Sequence, residues 1–367
     1  MSSAAIGFSI IAAPQCSGTK TCGPSRDSAR ALSDHSRSSS DRTTAAHCLG
    51  DVSVVVDETM ATALAQALTD PDPKVRAAAE DTLRRKREAL GTLEAPYAST
   101  SQTLVAVLGS EDMQARAAAA SALVTFADPS ALEAVNGAVV DASNTAQIRN
   151  DAALTLVRIA HRRVAAIPGL RYALRQHPRP GVRMDAADQL GAMRSVAIDA
   201  VPDLVAAVEK DADNQVQNAA ARALGSVAGG TQGPNTEKAG AAILAYAKKP
   251  RPGVVPPAVV TDAFASLGDA GVPYLRELLE SNDWLLRGYG LRALMNGAVG
   301  ESGKPTFSEA SKATLQPTIR RIAAQPLPAD GAQLVYARDA HPIACRYLKA
   351  FDPAGLPQTC PQYGTAK

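Results

Sequence analysis

HPRPGVRMDAADQL, residues 177–190, is the stretch whose reading decides the fold, because the chain repeats it. DPDPKVRAAAEDTL begins at Asp70, SEDMQARAAAASAL at Ser110 and SNTAQIRNDAALTL at Ser143. DADNQVQNAAARAL follows from Asp211, and SNDWLLRGYGLRAL from Ser281. Each copy sets an apolar residue before a column held by Arg76, Arg116, Arg149, Arg183 and Arg287, with Gln217 there once. A small residue comes three positions later and a leucine four beyond that, the i, i+3, i+7 signature of a helix with one buried face. Successive columns lie 40, 33, 34 and 34 residues apart. A period of that length marks stacked supersecondary units.

A second helical pattern precedes each copy. Ile167-Pro168-Gly169-Leu170, Val201-Pro202-Asp203-Leu204 and Val272-Pro273-Tyr274-Leu275 open it, with proline in the first turn, where its missing N–H needs no partner. Leu190-Gly191, Leu224-Gly225 and Leu267-Gly268 close the units, where glycine is expected to take the left-handed conformation that ends a helix. Each unit therefore reads as helix, tight turn, helix, Gly-rich turn. The P-x-L…D-x-x-x-V-R-x-x-A-x-x-x-L pattern resembles the HEAT repeat, especially the short bacterial form related to bilin-lyase HEAT-like repeats. The resemblance covers about residues 60–300, with six clear copies and a degenerate one at about 235–268 that carries KKPRPGVVPP from Lys248. It implies an all-α superhelix, an α-solenoid of about seven helix pairs with a C-terminal helical cap. In such repeats the column arginine is a structural ladder that pairs with an acidic residue of a neighbouring turn. Asp72, Asp112, Asp213 and Asp283, four residues before the column, are the expected partners.

Composition agrees with stacked helices. Hydrophobic residues make up 46% of the 367 residues while aromatics are only 4%, so the core is built of alanine, leucine and valine. Alanine costs no side-chain entropy in a helix and lets helices approach closely. A net charge of +2 does not demand a nucleic-acid or membrane partner, and no apolar run is long enough to span a bilayer.

Three segments are expected. Residues 1–56 read as a disordered or non-native leader: Ser17–Ser40 is poor in apolar residues, and translation starting at Met60 is the other bland account. Residues 57–300 are the solenoid. Residues 301–367 are a capping helix at Thr306–Ala324 and an irregular tail, in which Leu315-Gln316-Pro317-Thr318-Ile319 echoes the helix opening. The apolar run Ala4–Ala13 lacks a basic lead-in, which favours a cytoplasmic location over export. The five cysteines avoid the repeats, and Cys345 with Cys360 could form a tail disulfide in an exported protein.

No nucleophile elbow, phosphate loop, H-E-x-x-H or His-Glu dyad appears, so no catalytic, cofactor or metal residue is assigned and the chain is read as a non-enzyme. The basic stretch Arg158, Arg162, Arg163, Arg171, Arg175, Arg179 and Arg183 has no acidic residue between Asp151 and Asp185. Its bland reading is a solvated face; its functional reading is contact with an acidic protein surface or nucleic-acid phosphate. Trp284, the single tryptophan, reads as packing in the inter-helix turn. The leading expectation is a scaffold holding a protein partner on the concave face lined by the second helices. The alternative is a nucleic-acid-binding HEAT-like protein of the alkylation-repair type, using residues 158–183.

Overall fold

The computed structural model describes residues 22, 25–51, 53–86, 98–126, 129–160, 163–249, 257–299, 305–329 and 331–360. The run at 4–13, Cys16, His161, Arg162 and most of the proline-rich loop after Lys248 lie outside these. The described residues contain no strand and form nine consecutive helix pairs. In chain order these are α1 Ser25–Ser33 with α2 Ser39–Leu49, α3 Glu58–Ala67 with α4 Pro73–Arg85, and α5 Ala98–Leu108 with α6 Met113–Phe126. Then come α7 Pro129–Val140 with α8 Ala146–Ile159, α9 Ile167–Gln176 with α10 Pro180–Ala192, and α11 Val201–Lys210 with α12 Asn214–Ala228. The last are α13 Pro234–Lys248 with α14 Pro257–Leu267, α15 Val272–Glu280 with α16 Trp284–Val299, and α17 Glu309–Ala324 with α18 Gly331–Phe351. First helices stack on first helices and second on second, which makes a two-layered solenoid.

The repeated motif explains the pairing. Its aspartate caps the second helix: Asp72 accepts the Lys74 N–H, Asp112 the Gln114 N–H, Asp213 the Gln215 N–H and Asp283 the Leu285 N–H. Its leucine fills the space between layers, and Leu123, Leu156, Leu190, Leu224 and Leu294 are fully buried. Its small residue, Ala79, Ala119, Ala152, Ala186 or Ala220, is also fully buried and admits the neighbouring helix.

Two glycines expected to end helices do something else. Gly191 and Gly225 lie inside α10 and α12, and each faces the next second helix at backbone distance. A Cβ on Gly191 would stand 3.0 Å from Ala223 Cα, and one on Gly225 2.7 Å from Ala263 Cα. Only Gly268 of the three takes the left-handed conformation, at φ 64°.

Both ends extend the stack beyond expectation. Residues 25–51 are not disordered: α1 and α2 form the first pair, burying Ala29, Leu32, Ala46 and Leu49. Their few apolar side chains share one face, and polar links supply the rest. Arg42 grips Asp70, Thr82 Oγ1 donates to the Ala46 carbonyl at 2.9 Å, and the buried Lys86 donates to the carbonyls of Asp51 and Val54. Cys22 and Cys48 are joined by a disulfide. At the other end Pro317 sits inside α17 rather than opening a helix, and α18 turns the expected irregular tail into a ninth pair. No helix among the described residues is long and apolar enough to cross a membrane.

Candidate partner-binding surface

The column arginines run along the turns between first and second helices. Four of the five reach back to their own turns: Arg76 to the Asp70 carbonyl, Arg116 to that of Ser110, Arg183 to that of His177 and Arg287 to that of Ser281, while Gln217 does the same to Asp211. The acidic partner comes from the following pair. Arg42 binds both oxygens of Asp70, and Arg183 both of Asp211, at 2.8–3.0 Å. Arg76 lies 3.3 Å from Asp112, and Arg116 Nε 2.7 Å from Asp151. The expected acids therefore serve chiefly as helix caps, and only Asp112 also meets a column arginine, that of the preceding pair. The two-toothed pairs span 28 residues, a spacing that extends the motif to Arg42. Burial pushes the Asp70 and Asp211 carboxyls up, but the guanidinium donors and the amide N–H two residues on hold both below the usual carboxylate range.

Two column arginines meet something other than an acid: Arg287 donates to Gln325 Oε1 at 2.6 Å, and Arg149 is the second. The residue 28 positions after Arg149 is His177, which accepts the Arg179 N–H just as Asp70 and Asp211 accept theirs. Arg149 instead donates to the Val139 carbonyl at 2.7 Å and lies 4.1 Å over the Tyr172 ring. Burial, then the charges of Arg179 and Arg183, push the His177 imidazole below its usual value.

The basic stretch does not form one patch. Arg171 and Arg175, on the face of first helix α9, converge on Asp203 of α11 at 2.5 and 3.0 Å. Arg183 is engaged by Asp211. Arg163 and Arg179 are exposed at the turns after and before second helices, on opposite edges of the solenoid, and Arg158 is exposed on α8. Trp284 is buried at the start of α16, its ring 4.7 Å from the Arg287 guanidinium.

A different row of charges lies on the second helices. Arg222 of α12 reaches Asp188 of α10 at 3.4 Å, Asn296 of α16 reaches Asp262 of α14 at 3.5 Å, and Arg292 of α16 reaches Asp339 of α18 at 3.4 Å. Sequence reasoning assigns no role to Asp188, Asp203, Asp211, Arg222, Arg292 or Asp339. A signal for the first-named pair exists, since Asp188 and Arg222 occupy adjacent copies 34 residues apart. Among the described residues no three metal-ligating side chains converge.

The family model for HEAT repeats matches residues 63–157, 139–225 and 167–259, together more than half of the chain. Among solved structures, importin beta superposes with a TM-score of 0.50 at 12% identity, over 91% of this chain and 47% of importin beta. Beta-catenin superposes with a TM-score of 0.44 at 16% identity, over 78% of this chain and 63% of that one. The phycocyanin lyase complex from Nostoc gives 0.33 at 21% identity, over 66% and 93%. The chain thus spans about half the length of importin beta. No curated protein matches the sequence. With the motif, the two-layered stack and the family match in agreement, the protein belongs to the HEAT-repeat family.

Proposed function

We propose that this solenoid is a protein-binding scaffold whose partner lies along the row of second helices. The observation that carries the reading is the unequal spacing of the two layers. Second helices meet backbone to backbone, Gly191 against Ala223 and Gly225 against Ala263. First helices meet through side chains: the Tyr274 ring lies over Gly240, and Asp203 bridges to Arg171 and Arg175. A stack pinched on one side bends toward it, so the second helices line the inner surface of the curve. The charges there alternate in sign from α10 to α18, and Arg222 with Asp188 and Arg292 with Asp339 form exposed ion pairs at 3.4 Å. Pairs of that kind are worth about 0–1 kcal/mol, so a partner can exchange them for its own groups at small cost. The chemistry fits a protein segment that carries both signs of charge.

The test is to identify proteins retained by the full chain and then measure their binding to Arg222→Glu/Arg292→Glu and, separately, to Arg171→Glu. Binding weakened by the double change and insensitive to Arg171→Glu supports the reading. Loss on Arg171→Glu alone, or salt-sensitive retention of nucleic acid only, overturns it.

A further inference from the structure

Among the described residues the last helix pair packs against the pair before it, and a strap, residues 352–360, runs back over α17. Asp352 pairs with Arg320, Gln316 Nε2 donates to the Phe351 carbonyl at 3.2 Å, and Thr359 Oγ1 donates to the Ala323 carbonyl at 2.6 Å. The disulfide between Cys345 of α18 and Cys360 closes the strap, with both sulfur-bearing residues buried.

A histidine stands beside that bond. His341 lies one turn before Cys345 on the same helix face and is itself buried. Its Nε2 is 2.9 Å from the Ala323 carbonyl, which can only accept, so Nε2 carries the ring proton. Nδ1 therefore keeps its lone pair, and it faces Cys345 Sγ at 3.8 Å. The carbonyl that fixes this tautomer also receives the Thr359 hydroxyl, so the strap and the imidazole are anchored at one point.

We propose that His341 is the base that makes Cys345 the reactive thiol of this pair, and that the strap is closed by exchange with an external disulfide. Nδ1 takes the Cys345 proton, and the thiolate attacks one sulfur of the external disulfide. The S–S bond of that disulfide breaks, one of its thiols leaves with a proton, and a mixed disulfide remains on Cys345. The Cys360 thiolate then attacks Cys345 Sγ, the second external thiol leaves, and Cys345–Cys360 forms. Two protein thiols are oxidised and one external disulfide is reduced to two thiols. Cys22–Cys48, with no such histidine contact among the described residues, is the internal comparison. An oxidant of this class is present where disulfides persist, outside a reducing cytoplasm.

Full-length protein is reduced under native conditions, freed of reductant and given oxidised glutathione. Closure of each pair is read by alkylation and mass analysis of the linked peptides. At pH 7 a free thiol is only a few per cent ionised, so base assistance should close 345–360 at least about tenfold faster than it closes in His341→Gln. The 22–48 rate should be the same in both proteins, and at about pH 9.5, where thiols ionise unaided, the two 345–360 rates should converge. Equal 345–360 rates at pH 7 would overturn the proposal. The wild-type profile tests it without any variant: closure of 345–360 should be nearly flat from pH 7 to 9. A rise of nearly tenfold from pH 7 to 8 that levels off by pH 9, as for an unassisted thiol, would equally overturn it.

Discussion

Replacing Gly225 by alanine should invert the usual sign of a glycine-to-alanine change inside a helix. Position 225 lies within α12, where alanine is intrinsically favoured by about 0.8–1 kcal/mol. The added Cβ, however, would stand 2.7 Å from both Cα and the carbonyl carbon of Ala263 on α14, and closer still to its oxygen. The obstacle is backbone, so no rotamer change relieves it. Restoring an ordinary 3.4 Å contact to the Ala263 oxygen, which the Cβ would approach to 2.1 Å, takes a shift of about 1.3 Å, the difference between 3.4 and 2.1 Å. Overpacking of this kind costs about 1–3 kcal/mol. The upper half of that range applies, because Gly229 packs on the Ser266 backbone of the same helix and must move too. After the propensity gain, a net loss of about 1–2 kcal/mol remains. Gly137 is the control: it is exposed in α7, and a Cβ there would meet nothing within 4 Å, so Gly137→Ala should gain about 0.8–1 kcal/mol. Urea unfolding followed by far-ultraviolet circular dichroism, with slopes compared to verify that the unfolding unit is unchanged, measures both. If Gly225→Ala proved as stable as the parent protein, the close approach of second helices would be wrong, and the inner surface inferred from it with it.

Truncating Leu190 or Leu224, both fully buried between layers, to alanine should cost about 2–5 kcal/mol, and unchanged thermal unfolding of both would contradict the core assignment. Asp70 and Asp211 titrate below their unfolded value of about 3.9, so their contribution is complete above that pH and lost as pH falls through the lower folded values. Asp211→Asn should lose about 2 kcal/mol at pH 7 and show a shallower acid decline, read from unfolding midpoints between pH 2 and 7. His177 is also depressed, from an unfolded value of about 6.5, so its neutral form supports the fold above that pH and the support falls away toward the lowered value. His177→Asp places a carboxylate at the position 28 residues after Arg149, where Arg42 and Arg183 have theirs, and should remove the stability loss expected of the parent protein just below pH 6.5. A parent protein whose stability is flat from pH 7 to 5 would contradict this.

The repeats are legible because their period is carried by residues with few substitutes, Gln217 in the arginine column being one. The column residue must reach the turn carbonyls, and the leucine seven positions on must fill the gap between layers. The first pair escapes a reading based on average hydrophobicity, because Leu32, Ala46 and Leu49 need only one face, and Arg42, Lys86 and a disulfide hold the remainder. The ladder is visible in the sequence but its partners are not, because the acid that meets a column arginine sits on the next pair, a relation that only the stacking geometry fixes. Gly191 and Gly225 read as helix ends because glycine serves both as terminator and as a point of close approach, and local sequence does not separate the two uses. The arginines from 158 to 183 look like one cluster because a linear run hides the alternation of layers, which sends Arg171 and Arg175 to one face and Arg163 and Arg179 to opposite edges.

The most direct measurement of the central claim is hydroxyl-radical footprinting of the full chain, alone and in the complex isolated from its source cells. Met184 stands one turn from Asp188, and Met295 one turn from Arg292, both half-buried on second helices. Tyr274 on first helix α15 and the exposed Met113 at the very start of α6, on the edge of the solenoid, report on the other surfaces. A partner seated on the inner row should lower the oxidation of Met184 and Met295 and leave Tyr274 and Met113 unchanged. Protection of Tyr274 or Met113, with Met184 and Met295 as reactive as in the free chain, would contradict it.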